Sequence, residues 1–429
     1  MIARNTYINK IISKQWNGRV KIITGIRRCG KSTILFELFR QHLLSEGVSE
    51  EDIISIALDQ DRYAPLRDPK ELADYIRNRT ADAGRRFYLM IDEIQYAISS
   101  RELRGTDAPV RIYGVLNEFL SYKNVDIYVT GSNSKLLSKD ISTEFRGRGD
   151  VVKVYPLSFR EFADGTDMDK RDAYDEYMMY GGMPYLVQLR SDEEKLQYLE
   201  DLFEEIYFKD IEERYQIKYP GILREMTSAL CSSVGSLTNA SKISRTVKST
   251  RNLDVDPETV SSYLRYLRDA FLFSEAVRYD IKGKKYFSYP SKYYCTDIGL
   301  RNARLGLRQI EQTHIMENLI YNELLVRGYS VDVGVIALRE PDANKVMHQK
   351  NCEVDFVARK GSRIYYLQSA LSMDDPDKER TELRSLRAID DSFRKIVVSK
   401  SYGKSWTDDK GILRIGLIDF LLDENSLDR

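Results

Sequence analysis

The sequence contains a glycine-rich stretch, GIRRCGKST, whose residue types and spacing suit the binding of phosphate groups. It fits the pattern G-x-x-x-x-G-K-[ST] at every fixed position and lies between a strand-like run and a helical pattern. Gly25 and Gly30 permit a tight turn, backbone amides face the phosphates, and Lys31 reaches the outer phosphates. Ser32 is expected to bind Mg²⁺. The predicted nucleotide-binding residues are Gly25, Ile26, Arg27, Arg28, Cys29, Gly30, Lys31, Ser32 and Thr33.

A pair of carboxylates, Asp92 and Glu93, follows the apolar run FYLMI. A phosphate loop needs a metal-binding carboxylate on a neighbouring strand, and Asp92 is predicted to complete the magnesium site. Glu93 is predicted to be the base that orients and polarises the attacking water, with Lys31 as a further catalytic residue. The alternative is that the two acidic residues only end a strand. Because the sequence has no NKxD motif for guanine, the two motifs together favour ATP hydrolysis.

Polar and basic residues come later in the same region. Ser132 and Asn133, in GSNSKLL, are predicted to hydrogen-bond the terminal phosphate or the attacking water, and a helix N-terminal cap is an equal alternative. Arg146 and Arg148, in FRGRGD, are predicted to stabilise the transition-state charge. They would act within the chain or across an interface of a homo-oligomer. For both arginines, ordinary surface charge is the alternative.

Five short apolar runs in this part of the chain are typical of buried strands. Helical patterns lie between most of them, which predicts right-handed crossovers and a parallel sheet covered on both faces. The fold class is therefore α/β, with the motifs at the carboxyl ends of the strands. The runs are VKIIT (20–24), IISIAL (53–58), FYLMI (87–91), VDIYVT (125–130) and VVKVYPL (151–157).

The order of these motifs resembles that in prokaryotic AAA-type P-loop ATPases, which carry an AAA_14 ATPase domain followed by a DUF4143 domain. The resemblance spans nearly the whole chain. It implies a sheet with an additional strand, which separates the acidic strand from the phosphate-loop strand. The matching stretches are GIRRCGKST, IDE, VTGSNSKLL, FRGRGD, VYPLSFREF and GGMPYLV.

The middle of the chain has two short helical patterns and a hairpin, which predict a winged helix. Residues 236–250 contain three basic residues and no acid, and the hairpin KGKKYFSYPSKYY interleaves lysines, Lys292 included, with aromatic residues. Such a mixture suits phosphate contacts with double-stranded DNA, and a packing or protein-contact module is the alternative. The predicted DNA-contacting residues are Lys242, Arg245, Lys248, Lys282, Lys284 and Lys285.

The last part of the chain resembles a PD-(D/E)xK nuclease core. EVDF (353–356) precedes the strand-like IYYLQSA, and a helix with Glu317 and Glu323 comes before both. Such a core needs converging carboxylates for the metal and a lysine for the displaced phosphate. Here Asp355 is in place, but the E-x-K positions read QSA. We therefore expect a nuclease-like fold without nuclease activity, and either a buried polar network or a weak metal site at Glu323, Glu353, Asp355 and Gln368.

Length and composition set the remaining expectations. The 429 residues predict several domains, and the 66 basic and 66 acidic residues exclude any argument from net charge for a nucleic-acid or membrane partner. Four scattered cysteines and the lack of a long apolar run indicate a cytoplasmic protein. The predicted domains are an AAA-type core (1–165), a helical lid (166–221), a winged helix (222–305) and a nuclease-like domain (306–429).

Together these features predict an ATPase that uses ATP and Mg²⁺, and whose nucleotide state repositions the two appended domains on DNA. The first alternative is a slow nucleotide-gated switch that recruits a protein partner without DNA. A weaker alternative is an ATP-regulated DNA nuclease.

Overall fold

A five-stranded parallel sheet forms the centre of the first of two compact units, which comprises residues 1–156 and 269–271. The strand order is β2-β3-β4-β1-β5, so β4 separates the acidic strand β3 from the phosphate-loop strand β1. This order confirms the expected additional strand and the α/β class. The strands are β1 (Val20–Thr24), β2 (Ile53–Ala57), β3 (Phe87–Asp92), β4 (Val125–Gly131) and β5 (Gly149–Lys153).

The computed structural model describes residues 2–99, 102, 110–132, 147–288, 290–308, 311–341, 347–373, 375–400 and 404–429. Within them, no helix combines the length and apolar character needed to cross a membrane.

One helix of the first unit precedes β1, and the others lie between successive strands in the chain. Helix α2 begins directly after the phosphate loop and continues through a π-helical stretch, Ile34–Phe39. An extensive apolar core of strand and helix residues, including Ile22, Leu89 and Leu116, is fully or almost fully buried. The helices are α1 (Asn5–Ile12), α2 (Lys31–Thr33, Ile34–Phe39 and Arg40–Ser45), α3 (Pro69–Arg79) and α4 (Arg111–Phe119), with 3₁₀ turns at Glu50–Asp52, Asp61–Arg67 and Ile94–Ala97.

Strand β5 lies earlier than predicted because the PLSFREF segment starts a helix. Ser158 caps that helix, and the carboxylate of Glu161 accepts a hydrogen bond from the Ser158 amide, which completes a capping box. The second unit, residues 157–268 and 272–429, begins here. Its first helices are α5 (Phe159–Asp164), α6 (Lys170–Tyr180), α7 (Asp192–Asp201, Leu202–Phe208 and Lys209–Tyr215), α8 (Pro220–Ser232), α9 (Ala240–Arg251) and α10 (Pro257–Asp269), with a 3₁₀ turn at Pro184–Gln188.

The GGMP segment, residues 181–184, interrupts the helical run directly after α6. Gly181 ends the helix with a φ of 76°, and a Cβ there would lie 2.2 Å from a carboxylate oxygen of Asp297. Helix α10 buries one apolar face, which includes Val260, Leu264 and Leu267.

A mixed sheet of eight strands dominates the rest of the second unit, in the order β14-β15-β13-β12-β11-β10-β7-β8. Strands β6 and β9 pair separately as a two-stranded sheet. The strands are β6 (Phe273–Ala276), β7 (Arg278–Asp280), β8 (Lys285–Tyr286), β9 (Lys292–Cys295), β10 (Ser330–Pro341), β11 (Met347–Lys360), β12 (Arg363–Ala370), β13 (Arg394–Ser399), β14 (Trp406–Thr407) and β15 (Ile412–Gly416). The helices are α11 (Ile298–Arg304), α12 (Gln312–Val326), α13 (Pro376–Arg387) and α14 (Leu417–Leu422), with a 3₁₀ turn at Ser426–Asp428.

The predicted hairpin tip KGKK joins β7 to β8, as expected, but its surroundings differ from those of a free wing. Strand β7 pairs in parallel with β10, so the hairpin extends the edge of the eight-stranded sheet. The finer division of the chain into four domains stays a prediction.

Candidate functional site

The phosphate loop has a backbone that depends on its glycines. Gly25 has a φ of 153°, and a Cβ there would lie 2.1 Å from the carbonyl oxygen of Val154. Gly30, at the N-cap of α2, has a left-handed conformation with a φ of 96°. Arg28 also has a positive φ, of 66°, which is uncommon for a residue with a side chain. The loop therefore makes the tight turn that its two glycines permit.

Lys31 lies under this loop. Its side chain is buried, and its Nζ donates hydrogen bonds of 3.1 Å to the carbonyl oxygens of both Gly25 and Ile26. A buried ammonium group needs polar partners, which the loop carbonyls provide. The positive charge is thus fixed within the loop.

Asp92 and Ser32 meet at the start of α2. The Ser32 hydroxyl donates a 2.7 Å hydrogen bond to Oδ2 of Asp92, and the Thr130 hydroxyl donates to Oδ1. Burial raises the pKa of Asp92 from its usual value, while the hydrogen bonds from Thr130 and Ser32 lower it. The carboxylate is therefore held on both oxygens by neutral donors.

Glu93 lies next in this chain of contacts and has a left-handed backbone, with a φ of 51°. Its amide donates a 3.0 Å hydrogen bond to the hydroxyl oxygen of Thr130. Its carboxylate accepts hydrogen bonds from Gln95 and, at 3.4 Å, from Ser132. Gln95 also donates to the Ser132 hydroxyl at 3.3 Å. The unusual backbone thus turns the carboxylate of Glu93 towards the end of β4.

The structure therefore brings together five of the predicted residues in and beside the loop: Lys31, Ser32, Asp92, Glu93 and Ser132. Arg148 is exposed just before β5, where its carbonyl oxygen accepts a 2.9 Å hydrogen bond from the amide of Val20. Asn133 and Arg146 lie outside the described residues.

Sequence reasoning missed Thr130 and Gln95. Thr130 follows Val129, which pairs with Ile91 across β3 and β4, so a hydroxyl there lies beside Asp92. A threonine at the carboxyl end of a strand was the available signal. Gln95 offered none, since its contact depends on the left-handed turn at Glu93.

A second polar cluster lies in the second unit, and it corrects the predicted role of Lys292. This lysine is buried, and its Nζ lies 2.8 Å from Glu317, 2.6 Å from Glu353 and 3.9 Å from Asp355. The Tyr294 hydroxyl donates a 2.6 Å hydrogen bond to Glu317. Lys292 is therefore not an exposed lysine of a wing, because its charge is used inside the protein.

The charges of this cluster influence one another. Burial alone would lower the pKa of Lys292, but the carboxylates of Glu317, Asp355 and Glu353 raise it above its usual range. Burial and the nearby Glu317 raise the pKa of Asp355 far above its usual range, against the effect of Lys292. Among the described residues, no group of three or more His, Cys, Asp or Glu side chains is arranged to hold a metal ion.

The structure also changes the membership of the predicted nuclease-like site. Gln368 does lie beside Asp355, with its Oε1 3.4 Å from the Asp355 amide nitrogen. Glu323 instead pairs at 2.7 Å with Arg327, which directly follows α12, and Glu161 and Glu424 also lie near it. The helix carboxylate that joins Asp355 is Glu317. Glu317 and Glu323 are six residues apart, so they point in directions that differ by roughly 120° around the helix.

The predicted DNA-contacting residues all lie on the surface of the second unit. They form two groups, one on α9 and one at the β7–β8 hairpin tip. Lys248 forms an exposed ion pair of 3.0 Å with Asp254, and the Lys242 ammonium donates to the carbonyl oxygen of Leu237. The exposed residues are Lys242, Arg245, Lys248, Lys282, Lys284 and Lys285.

Comparison with known proteins finds relatives of the whole chain. An uncharacterized protein of Haemophilus influenzae is 33% identical over 427 residues, covering 98% of this chain and 99% of the relative. This chain belongs to the same family. A Methanocaldococcus jannaschii relative, also uncharacterized, is 27% identical over 389 residues, covering 87% of this chain and 79% of its own.

Two domain models match parts of this chain. Residues 17–163 match an AAA domain, AAA_14, and residues 171–311 match a domain of unknown function, DUF8612. The first match includes the phosphate loop, the acidic strand and Thr130. The chain therefore has an AAA-type ATPase-like domain.

Solved structures with some similarity include the Aeropyrum pernix ORC1 protein in complex with DNA and AMPPCP-bound DnaA from Aquifex aeolicus. The first is 11% identical with a TM-score of 0.29, covering 71% of this chain and 93% of that chain. The second is 15% identical with a TM-score of 0.32, covering 62% of this chain and 89% of that chain.

Proposed function

We propose that this protein binds ATP with Mg²⁺ at the phosphate loop and hydrolyses it. The observation that carries the proposal is the continuous series of hydrogen bonds Ser32–Asp92–Thr130–Glu93, which starts at the phosphate loop. These bonds connect the proposed metal ligands, Ser32 and Asp92, to a second carboxylate, that of Glu93. A purely structural strand end would not need two carboxylates fixed in this way.

The residues at the loop fit a magnesium ion. Mg²⁺ prefers oxygen ligands, and the Ser32 hydroxyl and an Asp92 carboxylate oxygen already lie 2.7 Å apart. These two side chains would hold the ion, which when bound would offset negative charge on the phosphates. Lys31 would release its loop carbonyls and contact the outer phosphates instead.

Glu93 is the proposed base. It would accept a proton from the attacking water, and the donors Gln95 and Ser132 hold its carboxylate in a defined position. Ser132 would then also contact the water or the terminal phosphate, with Asn133 as a second polar group. Arg146 and Arg148 are proposed to stabilise the transition state, within the chain or from a neighbouring copy.

Nucleotide binding is the first step to test. ATP affinity would be measured by isothermal titration calorimetry for the wild type, for Lys31→Met and for the control Lys70→Met, an exposed lysine on α3. We expect binding by the wild type and the control, and at least tenfold weaker binding by Lys31→Met. Equal affinities for all three would refute a nucleotide site at this loop.

The exposed basic groups of the second unit support double-stranded DNA as a partner of this ATPase. Exposed lysines and arginines contact phosphates without reading sequence, and each contact makes binding more sensitive to salt. ATP turnover would then reposition the second unit on DNA, as the loss of the terminal phosphate removes a charged link.

Fluorescence anisotropy with labelled duplex DNA at several salt concentrations tests this partner. Reversing Lys282, Lys284 and Lys285 to Glu should weaken binding and flatten its salt dependence. Reversing the charge of Lys70 is the matched control. If low salt gives no measurable binding by the wild type, the slow switch with a protein partner becomes the better account.

The nuclease alternative loses support from the second cluster, since the ammonium of Lys292 lies among the carboxylates that a metal would need. The membership of the second half in DUF4143, and its winged-helix and nuclease-like character, remain proposals beside the DUF8612 match.

A further inference from the structure

Arg4 is a buried cation that touches the phosphate loop from the N-terminal segment. Its side chain donates from one guanidinium nitrogen to the carbonyl oxygen of Cys29 at 3.1 Å and from the other to that of Tyr155 at 2.7 Å. Arg4 is 4% exposed and lies over the ring of Tyr7, at 4.7 Å from its centroid. The two terminal nitrogens of the planar guanidinium thus join two backbone segments in a fixed geometry.

The bond to Cys29 determines how one peptide of the loop is turned. In a trans peptide, the carbonyl oxygen and the following amide hydrogen point in opposite directions. Holding the Cys29 carbonyl on the Arg4 side therefore turns the amide of Gly30 away from Arg4. Backbone amides of such loops are the groups that bind phosphate.

Tyr7 completes this attachment, one helical turn after Arg4. Its fully buried side chain accepts a 3.2 Å hydrogen bond from the Tyr155 amide through its hydroxyl oxygen. Arg4 and Tyr7 thus hold both the carbonyl and the amide of Tyr155. The Sγ of Cys29 lies 3.6 Å from the carbonyl oxygen of the preceding residue, Val154, and a Cβ at Gly25 would lie 2.1 Å from the same oxygen. The loop therefore packs closely against the segment that follows β5.

We propose that Arg4 is a positioning residue that holds the phosphate loop in its nucleotide-binding conformation, supported by Tyr7. It would act through the backbone of Cys29 and Gly30 and contact no part of the nucleotide. The inference rests on the proposed ATP site. Loss of the Arg4 side chain should weaken ATP binding. The chemical step should stay nearly unchanged, because Glu93 and Asp92 keep their own hydrogen-bond partners.

The test compares Arg4→Met, Arg4→Lys and Tyr7→Phe with the wild type and with Arg19→Met as matched control. Arg19 is an exposed arginine that bonds Asp150 of β5 at 2.9 Å and has no part in the loop contacts. ATP dissociation constants, kcat, KM and melting temperatures without nucleotide would be measured. Arg4→Met is expected to raise Kd and KM about tenfold or more, since hydrogen bonds from a charged group are lost, with kcat within about twofold.

Arg4→Lys should restore affinity in part, because an ammonium can reach one carbonyl, and Arg19→Met should bind ATP like the wild type. Wild-type affinity in Arg4→Met would overturn the inference, as would an equal loss in Arg19→Met. If Arg4→Met does not fold, Arg4→Lys and Tyr7→Phe decide the question by the same readouts. A wild type that binds no ATP would instead refute the proposed function itself.

Discussion

The Ser32 hydroxyl and the Asp92 carboxylate, 60 positions apart in the chain, are joined by a 2.7 Å hydrogen bond. The bond links the start of α2 to the end of β3. Strand β4 lies between β3 and β1 in the sheet, so the contact connects two elements whose strands are not neighbours. A magnesium site between these two oxygens is the simplest use of the arrangement.

Asp92→Asn should raise the magnesium concentration needed for half-maximal ATP hydrolysis by roughly tenfold or more, because a neutral amide replaces a charged ligand. The measurement is a MgCl₂ titration of phosphate release at saturating ATP. Asp61→Asn, at a fully exposed carboxylate, is the control and should titrate like the wild type. An unchanged titration of Asp92→Asn would contradict the metal role of Asp92.

Thr130→Val should move the acid limb of the pH–rate profile to higher pH. Burial raises the pKa of Asp92 and the Thr130 hydroxyl lowers it, so loss of the hydroxyl raises this pKa further. Because the metal needs the ionised carboxylate, activity would then be lost at a higher pH as the medium is acidified. The profile of kcat/KM against pH measures the shift.

Thr24→Val provides the comparison for this change, since the Thr24 hydroxyl is buried without a hydrogen-bond partner among the described residues. Its acid limb should stay where the wild type has it. The same displacement in both variants would show that strand packing, and not the hydrogen bond to Asp92, sets the profile.

Lys292→Met should destabilise the second unit by about 3–5 kcal/mol, since it leaves buried carboxylates without their cation. Lys285→Met, at an exposed lysine of the hairpin tip, should change stability by less than about 0.5 kcal/mol. Urea unfolding followed by tyrosine fluorescence and circular dichroism compares the two. If Lys292→Met changed stability as little as Lys285→Met does, the carboxylates around Lys292 would be solvated.

Asp297 predicts a specific dependence of stability on pH. Burial raises its pKa to about 6, although the backbone amides of Gly182, Leu300 and Gly299 donate hydrogen bonds to it. The folded state then holds a proton that the unfolded state has lost, so this residue's contribution to stability falls as pH rises from about 4 to 6. The full effect is roughly 3 kcal/mol.

Asp297→Asn removes this titration. Its one carbonyl oxygen can accept only one of the two bonds, from the Gly182 amide to Oδ2 or from the Leu300 amide to Oδ1, so the variant loses some stability at every pH. The difference in melting temperature, variant minus wild type, should become more favourable to the variant at pH 7.5 than at pH 4.5. Differential scanning fluorimetry at both values measures it. A difference independent of pH would contradict a raised pKa for Asp297.

The sequence predicted the parallel sheet well because its signals are local. Each strand is a short apolar run, and the phosphate loop and acidic pair follow their strands directly. Thr130 and Arg4 escaped prediction, since their roles depend on which strands and loops become neighbours. In the sequence, only their spacing of one helical turn relates Arg4 to Tyr7, and it does not indicate which backbone groups they contact.

The second unit shows the opposite situation, because Lys292 stands among residues that look like an exposed basic hairpin. Only the pairing of β9 with β6 and the position of α12 bring it to Glu317 and Asp355. Two glutamates of α12 were equally good candidates by sequence, and the helix rotation selects Glu317. Charged residues in such strands cannot be assigned to surface or interior until their neighbours are known.

Steady-state phosphate release by the wild type and by Glu93→Gln, each with and without duplex DNA, tests ATP hydrolysis with Glu93 as base most directly. We predict hydrolysis by the wild type, stimulated by DNA, and a rate about 10² to 10⁴ lower in Glu93→Gln with ATP binding retained. Equal rates for the two proteins, or no hydrolysis by the wild type under any condition, would contradict the account.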